Sequence, residues 1–253
     1  MKKISTRIIA LLGSMVFFIC AGLGIITFLS SKKSLIGVLK ETMPKVAMEA
    51  SITIEDGIQN QLNTLNIIAS LDSMKVLEDT NPDYSKILDL MSDEINRAGH
   101  KQMILVDKNG KAMFNDGKTA DLSKNSIFKE AISGNEIVTE PALDNHGSGI
   151  IMIYAVPVRI NGKISGVLMA VRDGLELSDF AAKINFGKTG EAFIINSKGR
   201  TIAHSDNEVI MDLISAVAST SPLASDDTNA VDLISSATVS SDKADVTATP
   251  TVR

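Results

Sequence analysis

The residues whose types could do chemistry are concentrated in one short stretch. Asp144 and His146 are two potential metal ligands, and Ser148 follows two residues later. A closed zinc site needs four ligands, or three and a water, while His100 and His204 lie far away in the sequence. Ser and His act as a catalytic pair only when the fold gives them the right geometry. The stretch therefore predicts no metal site, and a membrane-anchored hydrolase that uses His146 and Ser148 is the less favoured functional hypothesis.

Other short motifs are also weak evidence for catalysis. Ser205-Asp206-Asn207 and Lys188-Thr189-Gly190 are tripeptides typical of serine β-lactamases, but here they occur in the wrong order. Gly187-Lys188-Thr189-Gly190 lacks the spacing of a phosphate-binding loop. We therefore expect a protein that is not an enzyme and that needs no cofactor or metal.

Composition excludes two further classes. The chain has a formal net charge of −5, and it carries no basic surface interleaved with aromatic residues, so a nucleic-acid partner is not expected. Cys20 is the single cysteine, which excludes an intrachain disulfide.

The N-terminal part has the pattern of a membrane anchor. Residues 1–7 carry Lys2, Lys3 and Arg7, and residues 8–30 carry no charged side chain. At about 1.5 Å per helical residue, that length spans the ~30 Å hydrocarbon core of a bilayer. We predict a cytoplasmic N-terminus at 1–7 and a transmembrane helix at 8–30. A cleaved signal peptide remains the alternative.

A long amphipathic helix should follow at residues 34–80. Apolar residues recur there in steps of three and four, which is the helical period. Two interpretations of this helix remain open: a free coiled-coil stalk, or a spine on which two domains dock. A shorter helix is expected at 85–97.

Two stretches of the chain share one hairpin pattern. In the first, Ile104 to Phe114, apolar residues are followed by Asp107 and the dipeptide Asn109-Gly110. We predict a two-residue type I′ turn at this dipeptide. The pattern returns around Asn196 and Gly199, about 90 residues later, which is the size of a small domain. The repeat predicts two modules built alike, although apolar hairpins are common enough for a chance match.

The first module should cover residues 81–174. We expect a helix at 125–132 with Ser123 as its N-cap, followed by strands at 136–140, 149–158 and 164–171. This order predicts an α+β fold with an antiparallel sheet and helical cover.

The second module should start at residues 175–212 and remain incomplete. Residues 213–253 are rich in Ser, Thr, Ala and Asp and contain neither Gly nor an aromatic residue. Such a composition offsets little of the entropy of ordering a chain, so we predict a largely disordered tail.

In this order, the parts resemble the double Cache sensor domain of bacterial methyl-accepting chemotaxis receptors, over about residues 1–212. The segments that carry the likeness are the N-terminal span through Ser30, Leu105 to Gly110, Asp121-Leu122-Ser123, Phe128 to Ala131, Ala155 to Val158, Gly166-Val167-Leu168 and Phe186 to Ile195. The resemblance implies two PAS-like modules on a long helix outside the membrane.

The resemblance also implies a function. It predicts an extracytoplasmic module that senses a small molecule, held in the cell membrane by a single-pass helix and dimeric through the long helix. The sequence contains no second membrane helix or signalling domain, so we expect a truncated receptor. The same module could instead precede a sensor histidine kinase or a cyclic-nucleotide enzyme.

Candidate ligand residues follow from the same resemblance. One subset of the family reads amino acids through an Arg-x-Trp-Tyr pattern and an Asp on the last strand. The corresponding positions here hold Asn125, Ile127, Phe128 and Val171, so no guanidinium is present to clamp a carboxylate. We therefore do not expect an amino-acid receptor. The predicted ligand-binding residues are Phe128 and Tyr154 as walls, with Asn125, Arg172 and Asp173 as polar contacts.

Overall fold

A computed structural model describes residues 2–79, 82–144, 149–184, 190–220 and 245–247. It divides into two compact units, Met1–Met48 and Glu49–Arg253, which are described separately below. The first unit is helical and contains the greater part of α1, whose full bounds are Lys2–Ala69. Many of its described apolar side chains, such as Phe17, Ile25 and Leu29, are exposed. An 18-residue window of α1 has a mean hydropathy of 2.3, so its length and composition suit a membrane span.

The long helix ends earlier than residue 80, where the sequence pattern placed its end. After Ala69, the Ser70 hydroxyl donates to the carbonyl of Ile67 at 2.7 Å, and Leu71 is extended with ψ of 149°. A side chain that bonds the preceding turn competes with helical pairing. A 3-10 helix at Asp72–Glu78 follows and buries Met74 and Val76.

The second unit contains a curled antiparallel sheet, as the sequence predicted. Helix α2 is Ser85–Ala98 and ends at Gly99, whose φ is +71°. The following elements are β1 (Gln102–Asp107), β2 (Lys111–Phe114), β3 (Thr119–Asp121), α3 (Ser126–Ile132), β4 (Ile137–Val138), β5 (Ala142–Leu143), β6 (Ile150–Ile160) and β7 (Lys163–Asp173). The strand order is β3-β2-β1-β7-β6-β4, and β5 also pairs with β6. The α+β class is therefore confirmed.

Both faces of this sheet are buried, and alternation along the strands divides them. We call the side that holds Met152, Tyr154 and Val156 the α1 face, because Leu62 and Leu65 of α1 belong to the same core cluster. The opposite side, with Ile151 and Ile153, is the α3 face. Successive side chains of a strand point to opposite faces, which explains the split.

The first hairpin turn differs from the predicted type I′ turn. Gly110 N donates to Asp107 O at 3.0 Å, and Gly110 has φ of +91°, whereas Asn109 has no positive φ. The turn is therefore a type I turn followed by a left-handed glycine, a three-residue loop with a bulge. The Asp107 carboxylate fixes this turn by accepting from the amides of Asn109 at 2.8 Å and Lys111 at 2.9 Å.

The N-cap of α3 also differs from the prediction. Asn125 Oδ1 accepts from the Phe128 amide at 3.0 Å, so Asn125, and not Ser123, is the cap. Ser123 instead lies in a tight Asx turn, in which its amide donates to Asp121 Oδ1 at 2.8 Å.

The second hairpin follows α4 (Glu176–Lys183) and consists of β8 (Phe193–Ile195) and β9 (Thr201–His204). β10 (Asp245–Thr247) pairs with β8 in a three-stranded sheet. Helix α5 (Asn207–Thr220) continues through residues 213–220, which the sequence pattern had assigned to a disordered tail. Ile210 is fully buried and ties this helix to the fold, which composition alone did not reveal. The rest of that predicted tail, apart from β10, lies outside the described residues.

The outer edge of β6 carries a proline. The backbone of Ile153 faces the β4 side, since its carbonyl accepts from Thr139 N and its amide donates to Thr139 Oγ1, each at 2.9 Å. Alternation along the strand turns the nitrogen of Pro157 to the same side. β4 pairs only with Tyr154 and Ala155, so among the described strands none pairs with β6 at Pro157 on that side.

Candidate functional site

The α3 face of the sheet is the candidate ligand site. Helix α3 lies over it through Ile127, Phe128 and Ala131. Residues 137–143, which we call the wall segment, run along its edge and pair with β6 through β4 and β5. Other members of this apolar cluster are Ile104, Val106, Ala112, Leu122, Ile137, Ile151, Ile153, Ala155, Val167, Met169 and Val171. These side chains form a hydrophobic core between α3 and the sheet.

The buried polar groups near this face are already engaged in structural contacts. Asn125 caps α3, and Thr139 Oγ1 accepts from the Ile153 amide at 2.9 Å. Glu140 is 6% exposed, and its carboxylate is bound by Asn196 and Arg200. Buried polar groups are normally satisfied in this way.

The structure does not bring the five predicted ligand residues together. Asn125 and Phe128 belong to α3, whereas Tyr154 is on the α1 face. Arg172 shares the parity of Ala170 on β7 and reaches Gln61 of α1 at 3.2 Å. Contact of any of these residues with a ligand stays a prediction, and the geometry separates them into two groups.

Arg172 lies in a buried polar cluster on the α1 face. Its guanidinium forms two hydrogen bonds to Glu176, at 3.0 and 2.7 Å, and one to the Ala98 carbonyl at 3.1 Å. Its Nη1 also lies 3.2 Å from His100 Nδ1. These contacts join β7, α1, α4 and the end of α2, so Arg172 holds elements of the module together.

His100 is neutral in this arrangement. Arg172 can only donate, so His100 Nδ1 must accept and the proton must lie on Nε2. Nε2 is 3.7 Å from Glu94 Oε1, and Glu94 is bound in turn by Arg97. Burial and then the charge of Arg172 lower the pKa of His100, against smaller opposing effects of Glu94 and Glu176.

Tyr154 is held in an apolar environment beside that cluster. Burial raises the pKa of Tyr154 to about 12, and the nearby Glu176 carboxylate contributes in the same direction. The phenol is therefore protonated at neutral pH.

Asp173 lies where β7 ends and is partly exposed. Its Oδ2 is 3.3 Å from Lys101 Nζ, with the two side chains 46% and 36% exposed, and its Oδ1 accepts from the Leu175 amide. A charged pair on the rim of an apolar face can orient a polar ligand group. Sequence reasoning found Asp173 but missed Lys101, although a lysine directly before β1 is a usable signal.

Glu140 is the second residue that sequence reasoning missed. It lies between Thr139 and Pro141 and is the one charged residue of the wall segment, 137–143. Such an acid is buried only when cations or amide donors from elsewhere meet it, which the sequence does not show.

Metal binding has no support within the described ranges, where no cluster of three or more His, Cys, Asp or Glu could hold an ion. Of the loop considered above for chemistry, His146 and Ser148 lie outside the described residues.

A comparison with protein-family profiles shows the family to which this chain belongs. The Cache domain profile matches residues 31–245, which is most of the chain. The chain belongs to the Cache domain family. This confirms the resemblance deduced from the sequence. The methyl-accepting chemotaxis protein PscA of Pseudomonas syringae pv. tomato is 29% identical to this chain over 75 residues. That segment covers 30% of this chain and 12% of the relative.

Solved structures show the same fold at low identity. The sensory domain of the Campylobacter jejuni chemoreceptor Tlp3, with isoleucine bound, has a TM-score of 0.56 at 19% identity, covering 71% of this chain and 76% of that one. The ligand-binding domain of the Pseudomonas aeruginosa amino-acid chemoreceptor PctC, in complex with GABA, has a TM-score of 0.58 at 17% identity, covering 72% and 82%. That of Pseudomonas fluorescens CtaA, with L-serine, has a TM-score of 0.55 at 18% identity, covering 75% and 80%.

Proposed function

We propose that this Cache protein is the extracytoplasmic small-molecule sensor of a chemotaxis-type transmembrane receptor. The observation that carries the proposal is the α3 face, a sheet face lined by apolar side chains beneath α3 and the wall segment in a chain of the Cache family. The apolar stretch of α1 supports a membrane anchor. The basic residues Lys2, Lys3 and Arg7 before the apolar stretch support an orientation with the sensor outside.

The ligand class follows from the polar groups present. Asn125 stands where an arginine would grip a carboxylate, and its side chain caps α3. The relatives with isoleucine, GABA and L-serine bound are therefore no direct guide to this chain. We propose a mainly apolar ligand whose polar end meets the Lys101–Asp173 pair.

A thermal-shift screen of the full chain in detergent micelles tests this function. The panel holds isoleucine, GABA, L-serine, short organic acids, amines and nucleobases. A compound with an apolar body should raise the unfolding temperature, because a ligand that binds only the folded state stabilises it. The absence of a shift with every class would count against a functional pocket.

Three core variants locate the site of any compound found. Phe128→Leu on the α3 face should weaken its binding at least several-fold, whereas Met91→Leu in the cluster of the α1 face should leave it unchanged. Weakened binding in Tyr154→Phe, with Phe128→Leu unchanged, would place the site on the α1 face instead.

We further propose a homodimer through the long helix. Apolar side chains of α1 beyond the apolar N-terminal stretch, including Leu35, Val38 and Ile52, are exposed. Paired helices bury such residues in a coiled coil. Light scattering of the full chain should give twice the monomer mass after correction for detergent, and a monomer at micromolar concentration would refute the dimer.

A further inference from the structure

The wall segment and the second hairpin meet at one buried carboxylate. Glu140 lies between β4 and β5, and its side chain is 7% exposed. Its Oε1 accepts from Asn196 Nδ2 at 2.8 Å, and Arg200 pairs with Oε2. Charge-assisted hydrogen bonds to a buried carboxylate are strong, and the loss of Arg200 would leave that charge uncompensated.

Asn196 makes this contact without giving up its role in the turn. Its Oδ1 accepts from the amides of Lys198 at 3.0 Å and Arg200 at 2.9 Å. The Nδ2 group is thereby directed to Glu140. One side chain thus fixes the second hairpin turn and attaches it to the wall segment.

The other end of this connection is the candidate ligand face. Ile137 of the wall segment belongs to the cluster of the α3 face and is 3% exposed, and Ala142 packs against the same cluster. Thr139, next to Glu140, bonds the backbone of Ile153 through both its amide and its hydroxyl. A displacement of the wall segment therefore moves the Glu140 carboxylate.

We propose that the wall segment couples the α3 face to the second hairpin through Glu140, Asn196 and Arg200. This inference rests on the proposed sensor function for its biological meaning. The three side chains are the positioning residues of the coupling, and a change on the α3 face reaches β8 and β9 through them.

A double-mutant cycle read by hydrogen exchange tests the coupling in the full chain, in detergent and without ligand. Ile137→Ala disturbs the wall segment, and Glu140→Gln removes the charge while keeping the side-chain volume. We expect Ile137→Ala to raise exchange of the amides at 193–205 at least threefold when Glu140 is present. In the Glu140→Gln background it should raise exchange no further, because the ion pair with Arg200 is already lost.

Two further variants keep the test decisive. Arg200→Met removes the partly exposed partner and should reproduce the loss of coupling if Glu140→Gln folds poorly. Val106→Ala makes a cavity in the same cluster but outside the wall segment, and should leave exchange at 193–205 within twofold of the wild type. Independent, additive effects of Ile137→Ala and Glu140→Gln, or an equal effect of Val106→Ala, would overturn the inference. Since no ligand is used, failure of the screen above would leave this result standing.

Discussion

The first hairpin, β1–β2, and the second hairpin, β8–β9, have the same turn in different surroundings. At the first, Asp107 Oδ1 accepts from the amides two and four residues later, and Gly110 has φ of +91°. At the second, Asn196 Oδ1 does the same, and Gly199 has φ of +76°. The repeated sequence pattern therefore encodes a repeated backbone geometry.

The surroundings of the two glycines differ. An added Cβ at Gly110 would lie 2.4 Å from the Ser123 Cα, whereas at Gly199 it would meet nothing within 4 Å. The first hairpin also joins a sheet in which β1 pairs on both sides. A local sequence pattern thus determines the turn, while the cost of breaking it depends on what packs against it.

The largest expected effect comes from alanine substitution at the two turn glycines. Gly110→Ala should lower the free energy of unfolding by about 3 kcal/mol, because left-handed strain adds to a clash with backbone. Gly199→Ala meets strain alone and should cost about 1 kcal/mol. Chemical denaturation of both variants checks the difference, and equal losses would show that the contact with Ser123 is unimportant.

The second prediction exchanges the two turn residues. Asn196→Asp keeps the turn acceptor but replaces the donor to Glu140 by a carboxylate, which should cost about 2 kcal/mol through repulsion in a buried site. The reciprocal Asp107→Asn keeps the same acceptor at an exposed turn and should cost less than about 0.5 kcal/mol. Denaturant midpoints measure both, and a larger loss for Asp107→Asn would contradict the assignment.

The third prediction concerns the surroundings of β1. The pKa of His100 is lowered in the folded state, so below about pH 6.5 the unfolded chain binds more protons than the folded chain. The free energy of unfolding therefore decreases as the pH decreases. The slope should approach, but not exceed, about 1.4 kcal/mol per pH unit. In His100→Gln, which keeps an acceptor for Arg172, this part of the slope should vanish in unfolding temperatures between pH 5.5 and 7.5. An unchanged slope would show that other groups cause it.

The smallest expected effect is the difference in stability between alanine substitutions in two Asn-Gly dipeptides. Asn161 has φ of +50° and Gly162 φ of +77°, a true type I′ turn between β6 and β7, whereas Asn109 has no positive φ. Asn161→Ala should therefore cost about 1 kcal/mol and Asn109→Ala close to nothing. Thermal unfolding of the two variants decides, and equal losses would argue for the same turn type at both sites.

These contrasts also show how far the sequence could predict the molecule. The strands predicted at 149–158 and 164–171 are found as β6 and β7, because enrichment in Ile and Val is a local property of the sequence. Alternation also places Tyr154 and Ile153 on opposite faces, but it does not say which face α3 covers. That choice depends on contacts between distant residues, so the sequence did not show that Phe128 and Tyr154, predicted as walls of one pocket, lie on opposite faces of the sheet.

The polar connections were beyond local reasoning for the same reason. Glu140 and Asn196 are far apart in the chain and meet only in the folded state. Arg172 was predicted as a polar ligand contact from the family resemblance, and in the structure it bonds Gln61, Ala98 and Glu176.

Pro157 has a consequence for how copies of this protein can meet. Strand addition needs an unbroken row of amide donors along an exposed margin, and the margin of β6 lacks one there. The sheet is thereby protected from polymerising with itself at this border. A second copy of this chain therefore cannot extend the sheet in register past Pro157 on this side of β6.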